Sequence, residues 1–429
     1  MTAHRLPGAC RAPLVAALAG CLVGLVGGAF RWCLQRADAL RGRLLETAAG
    51  LGGPGWLVPV ALAAAGAALA CAIARRVPHA AGSGIQHVEA VWRGESEART
   101  PWLLLPAKFV GGVVAIGSGL VLGREGPAVH MGATIGAEAG RRTGLGPDDT
   151  RLLHTSLAGA GLAVAFAAPL GGLLFVCEEV TRSVRPRLVL MTLIGTATAA
   201  AVSALVVGGA PVFPFPDAPA PPLWLLPVFL LFGATAGLLG AAYGGLVIGS
   251  LTLADRLATR MPAVARATLI GAAVGLLMAF DPLLAGGGDP LGERLLAGWS
   301  PAVGVLAAYL AVRFAAGPLS YAAGTPGGLF APLLAVGALW GALAHAAAGP
   351  LLPGQAAGPG AFAVVGMAAL FAAVVRAPAT GIVLVVEMTG ATSLILPLLA
   401  ACFAATLTAD RLGSEPVYDR LRRRMREHP

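Results

Sequence analysis

The sequence predicts an all-α integral membrane protein of tilted, broken helices, and three observations carry that fold class. Of its 429 residues, 57% are hydrophobic and 12% charged, where an ordinary soluble domain carries about a quarter charged residues. Apolar segments follow one another at about 12–30, 56–74, 102–122, 155–177, 188–212, 222–253, 267–280, 295–312, 314–348, 361–375, 377–386 and 391–409. Sixty glycines and 32 prolines interrupt these runs, and no alternation of the β-barrel kind appears. Such a composition excludes a disordered regulator, a coiled coil and a soluble enzyme with a wet surface.

Taken in order, Arg5 and Arg11 precede a charge-free run from Ala12 to Phe30. A secretory signal is the alternative, but 19 residues match a span of about 30 Å and no A-x-A-like site follows. The run reads as the first membrane helix. Segments shorter than about 17 residues cannot cross alone and read as tilted pieces, broken helices or re-entrant stretches. Ala210 to Pro222 is a proline-rich loop near mid-chain, and Arg411 to Pro429 is a short basic tail with no room for a soluble domain.

The formal charge is +9, with Lys108 the only lysine. The arginines gather in short clusters (Arg31 to Arg43, Arg75 and Arg76, Arg141 and Arg142, Arg182 to Arg187, Arg420 to Arg426) between apolar runs. That is the pattern of membrane-flanking loops and not the stripe that nucleic acid needs. The six cysteines are scattered and read as buried thiols; with the seven histidines they form no metal-ligand spacing.

An internal duplication is legible. Pro127 of Gly123-Arg-Glu-Gly-Pro127 is followed by Gly132 and Gly136, and Pro332 of Gly328-Leu-Phe-Ala-Pro332 by Gly337 and Gly341, at the same offsets. Ala168-Pro169 leads to Gly172 and Glu178 as Ala377-Pro378 leads to Gly381 and Glu387. The shifts, 205 and 209 residues, agree on two repeats, at about 12–212 and 222–410, with residues 411–429 as the tail. Matching glycine–proline interruptions in two halves point to a transporter-type site near the bilayer midplane.

Three glycine turns open apolar helices: Gly82-Ser-Gly-Ile-Gln86, Gly123-Arg-Glu-Gly-Pro127 and Gly328-Leu-Phe-Ala-Pro332. Helix N-termini expose backbone N–H groups and bind anions; each turn alone could equally be a tight helix–helix connection. Glu125, flanked by glycine and proline, is costly in lipid unless paired, solvated or protonated. Either Arg124 neutralises it, or the carboxylate is a pseudo-ligand that occupies the anion site when ionised and leaves it when protonated. Glu178 and Glu179 close a charge-free run; they point in different directions on a helix, with Arg182 or Arg185 as possible partners. Glu89, Lys108 and Glu387 read as buried ion-pairing residues, and Tyr418 as an interfacial tyrosine.

The three turns resemble the filter signatures GSGIP, G[KR]EGP and GxFxP of the CLC family of chloride channels and proton-coupled chloride transporters. The match runs from about Leu14 to Tyr418. The resemblance implies a homodimer with one anion pathway per subunit and a CLC-type fold of two inverted-topology repeats. It implies chloride ligands at Ser83 and Tyr418 (hydroxyls) and at Leu329 and Phe330 (backbone amides). The filter would comprise Gly82, Ser83, Gly84, Ile85, Gln86, Gly123, Arg124, Glu125, Gly126, Pro127, Gly328, Leu329, Phe330, Ala331 and Pro332. Glu125 matches the gating glutamate that also relays the external proton, and Glu179 the internal proton-transfer glutamate of an EE pair with Glu178. Gln86 departs from the family proline. Channel members generally lack a carboxylate at the Glu179 position, and the fluoride-specific branch alters the serine and lacks the tyrosine.

The expectation is secondary active exchange of chloride against protons, without cofactor, metal or catalysis. The partners are chloride, protons and the lipid bilayer, not nucleic acid. A passive voltage- or pH-gated chloride channel is the alternative on the same fold. A metal-dependent membrane enzyme would need clustered histidines that are absent from the sequence, and a non-transporting scaffold has no use for polar turns at membrane depth. A bacterial inner membrane, with both termini cytoplasmic, is the expected location.

Overall fold

The computed structural model describes residues 8–50, 52–98, 101–215, 220–349 and 357–427, excepting the side chains of residues 8–10. Arg5, the Cys10 side chain, residues 216–219 of the proline-rich loop and residues 428–429 of the tail lie outside them.

The first half of the chain forms α1 (Gly8–Gly50), α2 (Leu57–Arg76), α3 (Ile85–Trp92), α4 (Leu104–Gly117), α5 (Glu125–Arg142), α6 (Pro147–Phe166), α7 (Pro169–Phe175) and α8 (Pro186–Val207). The second forms α9 (Leu226–Ala258), α10 (Ala263–Phe280), α11 (Asp289–Leu296), α12 (Val303–Tyr321), α13 (Phe330–Ala348), α14 (Pro359–Val375), α15 (Pro378–Thr389), α16 (Ile395–Arg411) and α17 (Val417–Glu427). Among the described residues, eight helices are long and apolar enough to cross a bilayer: α1, α2, α8, α9, α10, α12, α13 and α16.

Backbone breaks divide the long apolar runs. The 155–177 run splits where Ala167 turns left-handed (φ +54) and Pro169 starts α7. The 314–348 run splits into α12 and α13, leaving a turn between Tyr321 and Phe330. Proline cannot supply an interior N–H but fits a helix start. α14 is buried around its whole circumference and forms the floor of the core.

Two arginine clusters correct the sequence reading, and one of them, Arg420 to Arg426, lies inside α17. Arg31 to Arg43 belongs to no loop but lies inside α1, which runs 43 residues, about 64 Å at 1.5 Å per residue. Two of its charges are satisfied within the fold. Arg31 is buried and donates to the Val164 carbonyl at 3.1 Å; Arg41 donates to the Gly117 carbonyl at 2.9 Å. Arg75–Arg76 and Arg141–Arg142 instead close α2 and α5, where cations favour the helix dipole.

The two halves meet through backbone and carboxylate. Gly123 and Gly328 exchange N–H···O bonds of 2.9 and 2.8 Å, while Gly82 accepts from Gly327 (3.2 Å) and donates to Thr325 (3.0 Å). These bridges draw the starts of α3, α5 and α13 to one point. Further out, Glu178 accepts from the N–H groups of Ala379 (3.1 Å) and Thr380 (2.6 Å) and from the Thr380 hydroxyl (2.7 Å), at the start of α15. Glu387, on α15, accepts from Leu170 (3.1 Å) and Gly171 (2.7 Å), at the start of α7. Each carboxylate satisfies N–H groups that the other half's helix leaves unpaired. This corrects the ion-pair expectation for Glu387 and the arginine partner considered for Glu178.

Candidate anion-binding site

The turn before α3 is shaped by Gly84, whose φ of +88 belongs to the left-handed region. The His130 imidazole also packs against its Cα so closely that any Cβ would collide. The turn buries Ser83 completely, with its hydroxyl 3.5 Å from the Ile85 nitrogen. Lys108 donates to the Gly82 carbonyl at 2.7 Å, so it steadies this turn and does not make the ion pair expected of it.

Glu125, the first residue of α5, is completely buried. Its Oε1 accepts from the Phe330 N–H at 2.6 Å, across the junction to α13; its Oε2 is buried with no hydrogen-bond partner. Arg124 is not its counter-charge. That guanidinium pairs with Asp289 at 2.7 Å and donates to the Ala165 carbonyl at 2.8 Å, beside a small cavity of about 50 Å³ whose lining includes Asp38, Arg41 and Gly123. The carboxylate therefore rests on backbone N–H groups, the arrangement an anion would adopt.

Gly126 is where α5 and the Ser83 turn touch: a Cβ there would stand 2.8 Å from both the Cα and the Oγ of Ser83. Phe330 is held edge-on by Phe371 (centroids 4.7 Å apart) and Phe175 (5.9 Å), and as the first residue of α13 its N–H has no partner within the helix. Tyr418 completes the cluster. It is fully buried at the start of α17, its ring is 5.6 Å from that of Phe330, and its hydroxyl faces that of Ser83. Leu329 is buried as the residue preceding α13. Ser83, Glu125, Leu329, Phe330 and Tyr418 thus converge, with Gly82, Gly123 and Gly328 as the backbone seam between them.

Glu179 stands apart from that cluster. It lies in a π-helical turn, Val176–Val180, is 1% exposed, and keeps a buried Oε1 without a partner. Glu89, Arg182 and Asp419 surround it electrostatically. Single π turns recur at functional positions because they re-aim side chains; here the turn sends Glu179 inward while Glu178 reaches α15. Glu89 is ion-paired as expected, with Arg422 at 3.6 Å. Arg422 also grips Glu95 with two 2.7 Å contacts and reaches Asp419 at 3.3 Å, and Arg182 binds Asp419 at 2.6 Å. This network docks α17 and with it Tyr418. Burial works against the charge of Asp419, yet hydrogen bonds and charge from Arg182 and Arg422 outweigh it and hold the carboxyl below the usual aspartate value.

Two groups were not legible in the sequence. His79, His87, His130 and His154 gather behind the Ser83 turn, with His79–His87 rings 4.6 Å apart and His130 Nε2 3.2 Å from His87 Nδ1. Tyr321, at the end of α12, accepts from the Ser83 N–H at 3.3 Å. Their residues are scattered along the chain and carry no spacing signal.

Residues 65–410 match the family described as Voltage gated chloride channel. The H(+)/Cl(-) exchange transporter ClcA of Vibrio parahaemolyticus is 38% identical over 415 residues, covering 95% of this chain and 88% of that protein. The protein of the same name from Vibrio cholerae (strain M66-2) is 39% identical over 415 residues, covering 94% and 87%. Among solved structures, a slow cyanobacterial Cl-/H+ antiporter superposes with a TM-score of 0.90 at 30% identity, covering 98% of this chain and 99% of that one. A CLC-type fluoride/proton antiporter, at TM-score 0.78 and 20% identity over 96% and 98% of the two chains, shares the fold.

Proposed function

The chain belongs to the voltage-gated chloride channel family, and from that premise we propose that it exchanges chloride against protons across a membrane. One observation carries the mechanism: the Glu125 carboxylate occupies the Phe330 N–H beside the Ser83 and Tyr418 hydroxyls. Chloride and the carboxylate compete for the same donors. Ionised, Glu125 fills the site; protonated, it loses the charge those donors favour and yields to chloride. The ionised carboxylate and the anion thereby exclude each other at one place, so chloride occupancy is tied to protonation of Glu125, which is what coupling requires.

The donors are neutral: backbone N–H of Leu329 and Phe330, and hydroxyls of Ser83 and Tyr418. Weak, multi-point coordination permits release, as rapid transport needs. Glu179 delivers the proton from the opposite side. The buried second carboxylate, with no hydrogen-bond partner on its Oε1, supports exchange over passive conduction, which needs no such group. The names of the two ClcA relatives accord with this reading.

The protein is a multi-pass integral membrane protein. We place it in the bacterial inner membrane with the basic α17 on the cytoplasmic side, following the positive-inside bias, and with the N-terminus on that same side. It works as a homodimer of two inverted-topology repeats per subunit. All five site residues come from one chain, which supports an independent pathway in each protomer. The reciprocal carboxylate caps support the repeat assignment.

Reconstitution into liposomes with simultaneous chloride and pH recording tests the function. A chloride gradient drives uphill proton movement in the natural chain, and Glu125→Gln keeps chloride flux while abolishing proton movement. A reversal potential indifferent to pH would establish the channel reading instead. Proton pumping retained by Glu125→Gln would remove that residue from the mechanism.

A further inference from the structure

The filter serine has a second donor that its hydroxyl tends to hide: its own backbone N–H. In this chain that N–H donates to the hydroxyl of Tyr321 at 3.3 Å. Tyr321 is 4% exposed and closes α12. The side chain of Gln86, the one departure from the family signature, hydrogen-bonds the same hydroxyl. Both groups stand over Gly82: from the position of a Cβ there, the Tyr321 hydroxyl lies 3.1 Å away and the Gln86 Nε2 3.7 Å.

A phenol offers two lone pairs and one proton. With the Ser83 N–H and the Gln86 amide both donating to it, the Tyr321 oxygen has no acceptor capacity left, and its proton must be given away. Donors that are themselves hydrogen-bonded in this way become stronger donors. Through the Ser83 N–H bond the Tyr321 hydroxyl stands directly against the residue whose side-chain hydroxyl is an anion ligand.

We propose that the Tyr321 hydroxyl is a further ligand of the transported halide, passing on the dipole of the Ser83 N–H, and that Gln86 is the positioning residue that holds it in that role. The inference rests on the proposed function, since it adds a donor to that same anion site. The glutamine and the tyrosine form one device: a proline at position 86 would supply no side-chain amide, and a phenylalanine at 321 would leave the Ser83 N–H without its acceptor.

The test is chloride titration by calorimetry on purified protein in detergent, with thermal unfolding in chloride-free and chloride-saturated buffer. Tyr321→Phe weakens chloride binding about five-fold, as for one lost neutral hydrogen bond, and shrinks the upward shift in unfolding temperature that chloride produces. Gln86→Pro, which fits the first turn of α3, weakens binding about two-fold in the natural background and not at all beside Tyr321→Phe. A Tyr321→Phe protein that binds chloride as the natural chain does overturns the inference, as does one whose unfolding temperature falls equally in both buffers. An effect of Gln86→Pro that is the same in both backgrounds overturns the role of Gln86. No chloride binding by the natural chain would overturn the proposed function itself.

Discussion

Removing the Glu125 side chain makes chloride binding tighter, and the structure sets the size of the gain. In the natural chain the anion competes with a tethered carboxylate held by the Phe330 N–H at 2.6 Å. A hydrogen bond to a charged group contributes about 1.5–3 kcal/mol net. With that as the advantage of the occupied over the vacated arrangement, the site is open in roughly 0.6–7% of molecules. Glu125→Ala opens it in all of them, so the apparent dissociation constant for chloride falls about 10- to 150-fold. Calorimetric titration of chloride at fixed pH measures this directly. Acidification has the same sign in the natural chain, because protonation neutralises the competitor: its affinity rises as pH falls, while that of Glu125→Ala stays flat. Unchanged or weaker binding by Glu125→Ala would refute the competition, and so would a variant that retains the pH dependence.

Glu179→Gln preserves chloride flux in liposomes but loses uphill proton movement; unchanged coupling would remove Glu179 from the proton route. Gly126→Ala drives a methyl group into the Ser83 backbone, an overpacking cost of about 1–3 kcal/mol that, borne by the site, weakens chloride binding about 5- to 150-fold; Gly244→Ala, with open space around it, leaves titrations unchanged. The ion pairs of Asp419 give α17 an acid limit. Because its folded-state pKa is depressed, its stabilisation is fully present above the ordinary aspartate value of about 3.9 and disappears as pH falls through the lower folded value. Hydrogen exchange of α17, corrected for intrinsic rate, shows protection lost in that acid window, and Asp419→Asn shows reduced protection already at neutral pH.

The local parts of this site were legible because they are written in contiguous residues. Gly123 to Pro127 announces a helix start with a misplaced carboxylate, and Ala168-Pro169 announces a break, whatever the rest of the chain does. The turn chemistry of glycine and proline is a short-range property, so it survives in one dimension. Partner choice is different. Nothing near Arg124 in sequence names Asp289, 165 positions away, so pairing with the adjacent Glu125 stood as one of two readings of that carboxylate. Lys108 was expected to seek a carboxylate and found the Gly82 carbonyl, because an ammonium in a tight turn needs acceptors more than it needs charge. The Arg31 to Arg43 cluster resembled a loop because charges gathered beside an apolar run mark membrane-flanking loops, although arginine itself is a good helix former. The Val164 and Gly117 carbonyls satisfy Arg31 and Arg41 where the helix packs.

The exchange of carboxylates between Glu178 and the start of α15, and between Glu387 and the start of α7, has a consequence for biogenesis. Until Thr380 has emerged from the ribosome, Glu178 lacks the partners it has in the fold, and the Leu170 and Gly171 amides at the start of α7 lack Glu387. The early half must therefore idle, inserted but unsettled, through roughly two hundred codons of further synthesis. A polypeptide cut short in the 208–222 connection would present those orphan groups to the quality-control proteases of its membrane.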